Sequence, residues 1–258
     1  MDYNYHTHTF RCHHASGTPE QYIKKAINGG IKYMGFSEHI PFRFPDGEES
    51  WYRMHMLDAE AYFSEISLLR EKYKEQIEIK VGFEMEYYPL YFDEMLENAK
   101  KFGAEYLILG QHFVNQDATN HDGTYIAYEN NSPDDLKEYV RCVLEAMQKG
   151  VFTYLAHPDV FNFTGDDAIY KEEMEKICIS SKKLNFPLEI NFWGIKNNRF
   201  YPNEMFWEIA GKYGSPVTMG FDAHEVHSAY DDLSLPKAKA LIEKYNLNYI
   251  GKPNLVLL

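Results

Sequence analysis

The 258-residue chain predicts an α/β fold: one (β/α) barrel of parallel strands, with its functional residues at the strand C-terminal ends. Three observations predict it. Short apolar segments alternate with helical patterns from end to end, no proline-rich or low-complexity linker interrupts them, and histidines and acids recur just after the apolar segments. Seven or eight consecutive strand–helix units imply parallel strands with right-handed crossovers. In such barrels the strand C-termini build the site. A single domain over residues 1–258 is expected.

The elements follow in order. The first strand is placed at 2–6. A helix begins at Thr18-Pro19-Glu20-Gln21, a capping box with proline at the first helical position, and Gly29-Gly30 close it. Residues 33–37 form the second strand. Over 58–75, Tyr62, Ile66, Leu69 and Tyr73 repeat at helical spacing and mark one apolar face. A strand over 77–83, a helix over 91–102 and a strand over 106–109 come next. Ser132-Pro133-Asp134-Asp135 starts a helix carrying Leu136, Val140, Val143 and Met147 on one face, ended by Gly150. Further strands are expected near 152–156, 187–191, 216–220 and 249–251, separated by helices near 170–185, 203–213 and 236–246. The connections 40–57 and 113–131 are long for a compact domain and are expected to lie over the pocket mouth.

Composition narrows the function. A formal net charge of −13 and the lack of any Lys/Arg run argue against a nucleic-acid polymer as partner. A small anionic substrate stays open, because bound cations reverse the local sign. Cys12, Cys142 and Cys178 are odd in number and widely separated, as free thiols in a reducing compartment would be. There is no basic-then-apolar leader and no run of 18 apolar residues, so a cytoplasmic protein with no membrane partner is expected.

Seven of the eleven histidines, with one Glu and one Asp, stand at strand ends: His6 and His8, His14, His39, Glu84, His112, His157, and Asp222 with His224. Imidazole and carboxylate suit Zn, Mn and Fe. His6-x-His8 and Asp222-x-His224 each place two ligands on one side of a strand. Any one of these histidines is unremarkable, but the recurrence at one end of successive strands points to a metal cluster used for hydrolysis. His13, His55, His121 and His227 are read as surface or supporting residues. No serine elbow, P-loop or dinucleotide loop is present.

These segments resemble the polymerase and histidinol phosphatase (PHP) superfamily, in its monofunctional histidinol-phosphatase branch. The resemblance rests on His6-Thr7-His8-Thr9, Ser37-Glu38-His39, Gly82-Phe83-Glu84-Met85-Glu86-Tyr87, Gly110-Gln111-His112, Ala156-His157-Pro158-Asp159 and Gly220-Phe221-Asp222-Ala223-His224. It implies a distorted (β/α)7 TIM-like barrel with three divalent ions, Zn, Mn or Fe. His6, His8, Glu84 and Asp222 would hold the first ion. Glu84, as a bridge, would hold the second with His112 and His157, and His14, His39 and His224 would hold the third. The family often has proline before the residue matching His14, where this chain has His13, so two adjacent imidazoles compete for that place. Glu38 replaces the usual Asp.

The implied reaction is hydrolysis of L-histidinol phosphate to L-histidinol and phosphate, in histidine biosynthesis. A hydroxide bridging ions on Glu84 and Asp222 would attack in line. Three divalent ions against two carboxylates would leave the pocket at about +4. Arg199 and Lys196, in a segment leaving a strand, are expected phosphate clamps, with Arg53 and Arg43 as further candidates from the 40–57 connection. The alternative is a PHP phosphoesterase acting on nucleotides or another small phosphorylated metabolite. A non-catalytic metal-binding module is the reading from a different class.

Overall fold

A computed structural model of the protein describes residues 1–116 and 123–258; His121 lies outside the described residues. Among the described residues the strands are β1 (Tyr3–Asn4), β2 (Tyr33–His39), β3 (Glu78–Met85), β4 (Tyr106–Leu109), β5 (Phe113–Val114), β6 (Thr124–Tyr125), β7 (Phe152–Leu155), β8 (Leu188–Asn191), β9 (Pro216–Gly220) and β10 (Asn248–Tyr249). The helices are α1 (Pro19–Asn28), α2 (Ala59–Tyr73), α3 (Phe92–Phe102), α4 (Pro133–Gln148), α5 (Asp167–Leu184), α6 (Phe192–Lys196), α7 (Glu204–Tyr213) and α8 (Leu235–Lys244).

Local chemistry accounts for the helix ends. Gln21 reaches back to accept from the Thr18 backbone N–H at 2.8 Å at the start of α1. The Ser132 hydroxyl accepts from Asp135 N at the start of α4, so each cap satisfies a donor the first turn leaves unpaired.

Eight strands form one parallel sheet in the order β1-β2-β3-β4-β7-β8-β9-β10. The sheet curls until its first strand meets β9. Thr7 bridges Ala223 in parallel, with His8 N donating to Ala223 O at 2.9 Å and Ala223 N to His6 O at 3.2 Å. At the opposite end β9 pairs instead with the two-residue β10. Seven strands therefore close the ring and the eighth splits its base, which is the distortion.

Side chains alternate across each strand, and the barrel has two separate apolar cores. The larger packs the outward faces of the strands, such as Phe83, Leu107, Ile190 and Val217, against the helices. The smaller fills the lower interior with Tyr3, Tyr5, Tyr106, Ile108, Tyr154 and Ala156. The upper interior is polar.

Periodicity gave the long elements to within a few residues and missed the short ones. The antiparallel pair β5–β6 lies within the connection read as a plain loop, and α6 lies where a strand exit was expected. The two long connections do meet above the barrel, where Tyr52 stacks on Phe113 with ring centroids 5.1 Å apart.

A candidate metal centre

Strand register sets the site. In β2–β3 His39 pairs with Glu84, so their side chains share one level, and in β8–β9 Asn191 lies opposite Gly220. Both His157 (φ 31°) and Asp222 (φ 48°) adopt left-handed backbone conformations. Such conformations cost about 1–3 kcal/mol each for ordinary residues. They turn each chain inward as its strand ends.

Glu84 is at the centre, 1% exposed. Its Oε1 lies 2.9 Å from His157 Nε2 and 3.5 Å from His112 Nε2. Its Oε2 lies 3.4 Å from His6 Nε2, 3.2 Å from His8 Nε2 and 3.2 Å from His39 Nδ1. One oxygen thus faces the pair expected around a second ion, and the other faces the pair expected around a first. Asp222 Oδ1 completes the first group at 3.4 Å from His6 and 3.6 Å from His8. A methyl group at Gly110 would overlap the Glu84 carboxylate, so glycine there leaves it room.

The third group forms only in part. His14 Nε2 approaches His224 Nε2 at 3.1 Å, and the His39 ring lies 5.3 Å from that of His14 but 6.4 Å from that of His224 and 4.5 Å from that of His8. Both competing neighbours are exposed, but His14 packs against His39 and His224 of the cup, whereas His13 packs beside His55, ring centroids 4.7 Å apart. His227 is exposed as well, bound to Lys196 and Glu225.

Three buried carboxylates outside the expected ligand set lie behind the imidazoles, two of them within hydrogen-bond distance. Glu189 lies 2.9 Å from His6 Nδ1, Glu86 lies 2.9 Å from His112 Nδ1, and Glu38 lies 3.8 Å from His8 Nδ1 while accepting from Thr9 N at 2.8 Å. A carboxylate behind an imidazole fixes its tautomer and turns the other nitrogen toward a cation. Glu38 and Glu86 stood inside recognisable segments. Glu189 had no signal beyond an acid in an apolar strand, itself costly unless paired.

These groups revise the expected charge. The cup contains five carboxylates and the Arg53 guanidinium, so three divalent ions would leave about +2 rather than +4.

The cations read as phosphate clamps separate into different settings. Arg53 is 1% exposed. Its guanidinium lies 2.8 Å from Glu86 Oε2 and donates to Ile40 O, so it is a buried cation paired with Glu86. Arg43 is bound to Glu49 on the rim. Lys196 is carried by α6 onto Glu225, His227 and Ser228. Arg199 is exposed. Its charge is felt at Tyr125, which also feels Asp222 and Glu84.

The electrostatics are those of a cation site. Burial opposes charge on His6, but Asp222, Glu189 and Glu84 outweigh it and raise its pKa well above the usual value. Burial likewise opposes ionisation of Glu84, yet the surrounding His112 and His6 hold its pKa well below the usual carboxylate range. Burial keeps His39 uncharged. His6 Nε2, His8 Nδ1 and Nε2, His39 Nδ1, His157 Nδ1, Glu38 Oε2 and Asp222 Oδ1 are buried without hydrogen-bond partners. Orphaned lone pairs of this kind are costly, and His/carboxylate donors converging on shared points suit divalent transition metals. The residues fit such ions.

The PHP domain family model matches residues 4–192, most of the chain. The chain belongs to the PHP domain family. Among its PHP relatives, the histidinol-phosphatase of Lactococcus lactis is 27% identical, covering 95% of this chain and 90% of the relative. That of Bacillus subtilis is 33% identical over 44% of this chain and 45% of its own. This PHP chain is also similar in fold to a crystal structure of the histidinol phosphate phosphatase from Lactococcus lactis, complexed with zinc, L-histidinol and phosphate. There the TM-score is 0.70 at 23% identity, covering 96% of this chain and 95% of that one. The match is to a distorted barrel, as expected. No helix among the described residues is long and apolar enough to cross a membrane.

Proposed function

We propose that this PHP protein is a metal-dependent phosphomonoester hydrolase that converts L-histidinol phosphate and water to L-histidinol and phosphate. It would act as one domain over residues 1–258, in the cytoplasm. The observation that carries the reading is the convergence of His6, His8, His39, Glu84, His112, His157, Asp222 and His224, with His14 at the rim, on one cup lined with unpaired ligand atoms. Relatives named for histidinol phosphate hydrolysis, one of them complexed with zinc and both products, support the substrate.

His6, His8, Glu84 and Asp222 would hold one divalent ion. Glu84, His112 and His157 would hold a second, and His14, His39 and His224 a third, of Zn, Mn or Fe. Such ions would ionise a coordinated water near neutral pH and offset charge on the phosphoryl oxygens. The chain's own groups do the rest. Glu84 spans the first and second sets and fixes their separation, while Asp222 and Glu84 supply the negative charge that retains cations. Arg199 offers the substrate a guanidinium with no side-chain partner among the described residues, suited to bidentate contact with phosphate. Aromatic walls from Tyr52 and Trp193, packed on His39 and His224, limit access of water from above. The acidic exterior disfavours nucleic-acid polymers.

The test is phosphate release by zinc- or manganese-loaded protein across histidinol phosphate, nucleoside monophosphates and sugar phosphates. Histidinol phosphate should be turned over with the highest kcat/KM. Preference for another metabolite would replace the substrate but keep the chemistry, and no release from any of them would overturn both.

A further inference from the structure

We propose that Glu189 is a positioning residue that dictates which nitrogen of His6 is free to bind a cation. This rests on the metal-site reading above. Glu189 is 0% exposed, as is His6, and neighbouring Asn191 is 1% exposed. Glu189 projects from β8, outside every segment expected to supply ligands.

Three donors converge on this one carboxylate. His6 Nδ1 lies 2.9 Å from Oε1 and 3.2 Å from Oε2. The His157 backbone N–H donates to Oε2 at 3.2 Å, and Asn191 Nδ2 donates to Oε2 at 2.9 Å. The same Asn191 amide donates to Asp222 Oδ2 at 3.1 Å. One side chain thereby ties together His6, the turn carrying His157 and, through Asn191, the carboxylate of Asp222. Gly220, opposite Asn191 in the sheet, makes this possible, because a methyl group there would overlap Glu189 Oε1.

The consequence is a tautomer. Glu189 already accepts from the His157 N–H and the Asn191 amide, and a carboxylate that acts as acceptor toward all three neighbours leaves the proton on His6 Nδ1. The lone pair of a neutral His6 then lies on Nε2, 3.4 Å from both Glu84 Oε2 and Asp222 Oδ1. A glutamine at 189 would reverse this. The His157 N–H and the Asn191 amide are obligate donors and claim the amide oxygen. The amide NH2 is left facing His6 Nδ1, which must then accept, and the proton moves to Nε2, where it blocks the ligand position.

The experiment compares wild type, Glu189→Gln and Gly220→Ala, the last keeping the carboxylate but displacing it. Each is stripped of metal, checked for folding by circular dichroism, and titrated with zinc against a chromophoric chelator. Nitrogen-15 spectra recorded above the His6 pKa, where the ring is neutral, then report which nitrogen keeps its proton. Glu189→Gln should bind its His6-dependent zinc about 10–100-fold more weakly, the range for losing a partner of a ligand, with the His6 proton moved to Nε2. Gly220→Ala should weaken zinc in the same direction. Wild-type affinity together with an unmoved His6 proton in Glu189→Gln would overturn the inference. Lowered thermal stability with unchanged zinc affinity in both variants would also overturn it, leaving only a packing role. If wild type itself bound no zinc and released no phosphate, the proposed function would fail instead, so the two failures are distinguishable.

Discussion

The barrel interior has two layers that solve the same problem in opposite ways. The lower layer is aromatic. Its Tyr106 hydroxyl lies 2.8 Å from Tyr5 O and 3.1 Å from Phe36 O, and the Tyr3 hydroxyl lies 3.0 Å from Thr218 Oγ1 and accepts from Met219 N. These buried hydroxyls have protein partners. The upper layer is largely buried as well, yet most of its imidazoles and three of its carboxylates retain atoms with no hydrogen-bond partner. Folding therefore satisfies the lower layer internally, while the upper layer is built for charges from outside the chain. What distinguishes the layers is hydrogen-bond completeness.

That contrast breaks most visibly at the ligands. Asp222→Ala and His6→Ala should each lower phosphate release more than about a hundredfold, exceeding the 10–100-fold typical of losing a ligand's partner. Circular dichroism should show both folded, and either variant retaining wild-type turnover would remove the upper layer's assigned role. Metal removal comes next. A chelator should abolish turnover, zinc or manganese should restore it, and wild-type Tm should rise with metal concentration. A ligand at a hundred times its Kd adds about 2.7 kcal/mol. Tyr106→Phe should show the same metal-linked rise, because its layer holds none.

Arg53 and Arg199 sharpen the comparison in stability. Arg53→Met leaves Glu86 buried without its guanidinium and should cost about 3–5 kcal/mol, read as a large fall in denaturation midpoint. Arg199→Ala should leave stability unchanged and raise KM. Interchanged effects would reassign the two cations.

The smallest effect concerns the thiols. Burial, with Glu138 nearby, pushes the Cys142 pKa up to about 12, against roughly 8.5 in an unfolded chain. Because the folded value is the higher, native protein gains stability from the protonated thiol below about pH 8.5, and that stability falls away as pH rises toward the folded value. Iodoacetamide at pH 8.5 should label Cys12, Cys142 and Cys178 readily in denaturant and negligibly in native protein, since all three are buried.

Much of this was legible in the chain. Helical spacing in 58–75 and 132–150 placed α2 and α4, because a one-sided apolar face repeats in sequence whatever packs against it. Recurring histidines after apolar segments located the cup. Short elements were not legible. Two-residue strands such as β5 and β6 have no period to read, and α6 is set by the Asn191 side chain accepting from Gly194 N. Arg53 read as a phosphate-binding candidate on a long loop, since nothing local announces its ion pair with Glu86.

By itself, the sequence determined the strand–helix alternation, the parallel topology that follows from it, and which residues have ligand chemistry, because each depends on periodicity or residue type. Only the tertiary structure decided which oxygen of Glu84 faces which imidazoles, that His14 and not His13 packs against the cup, and that Glu189 stands behind His6. Those outcomes depend on strand register, on left-handed turns at His157 and Asp222, and on contacts between residues as far apart as 6 and 189. Proximity of that kind is created by closing the barrel and has no trace in local spacing.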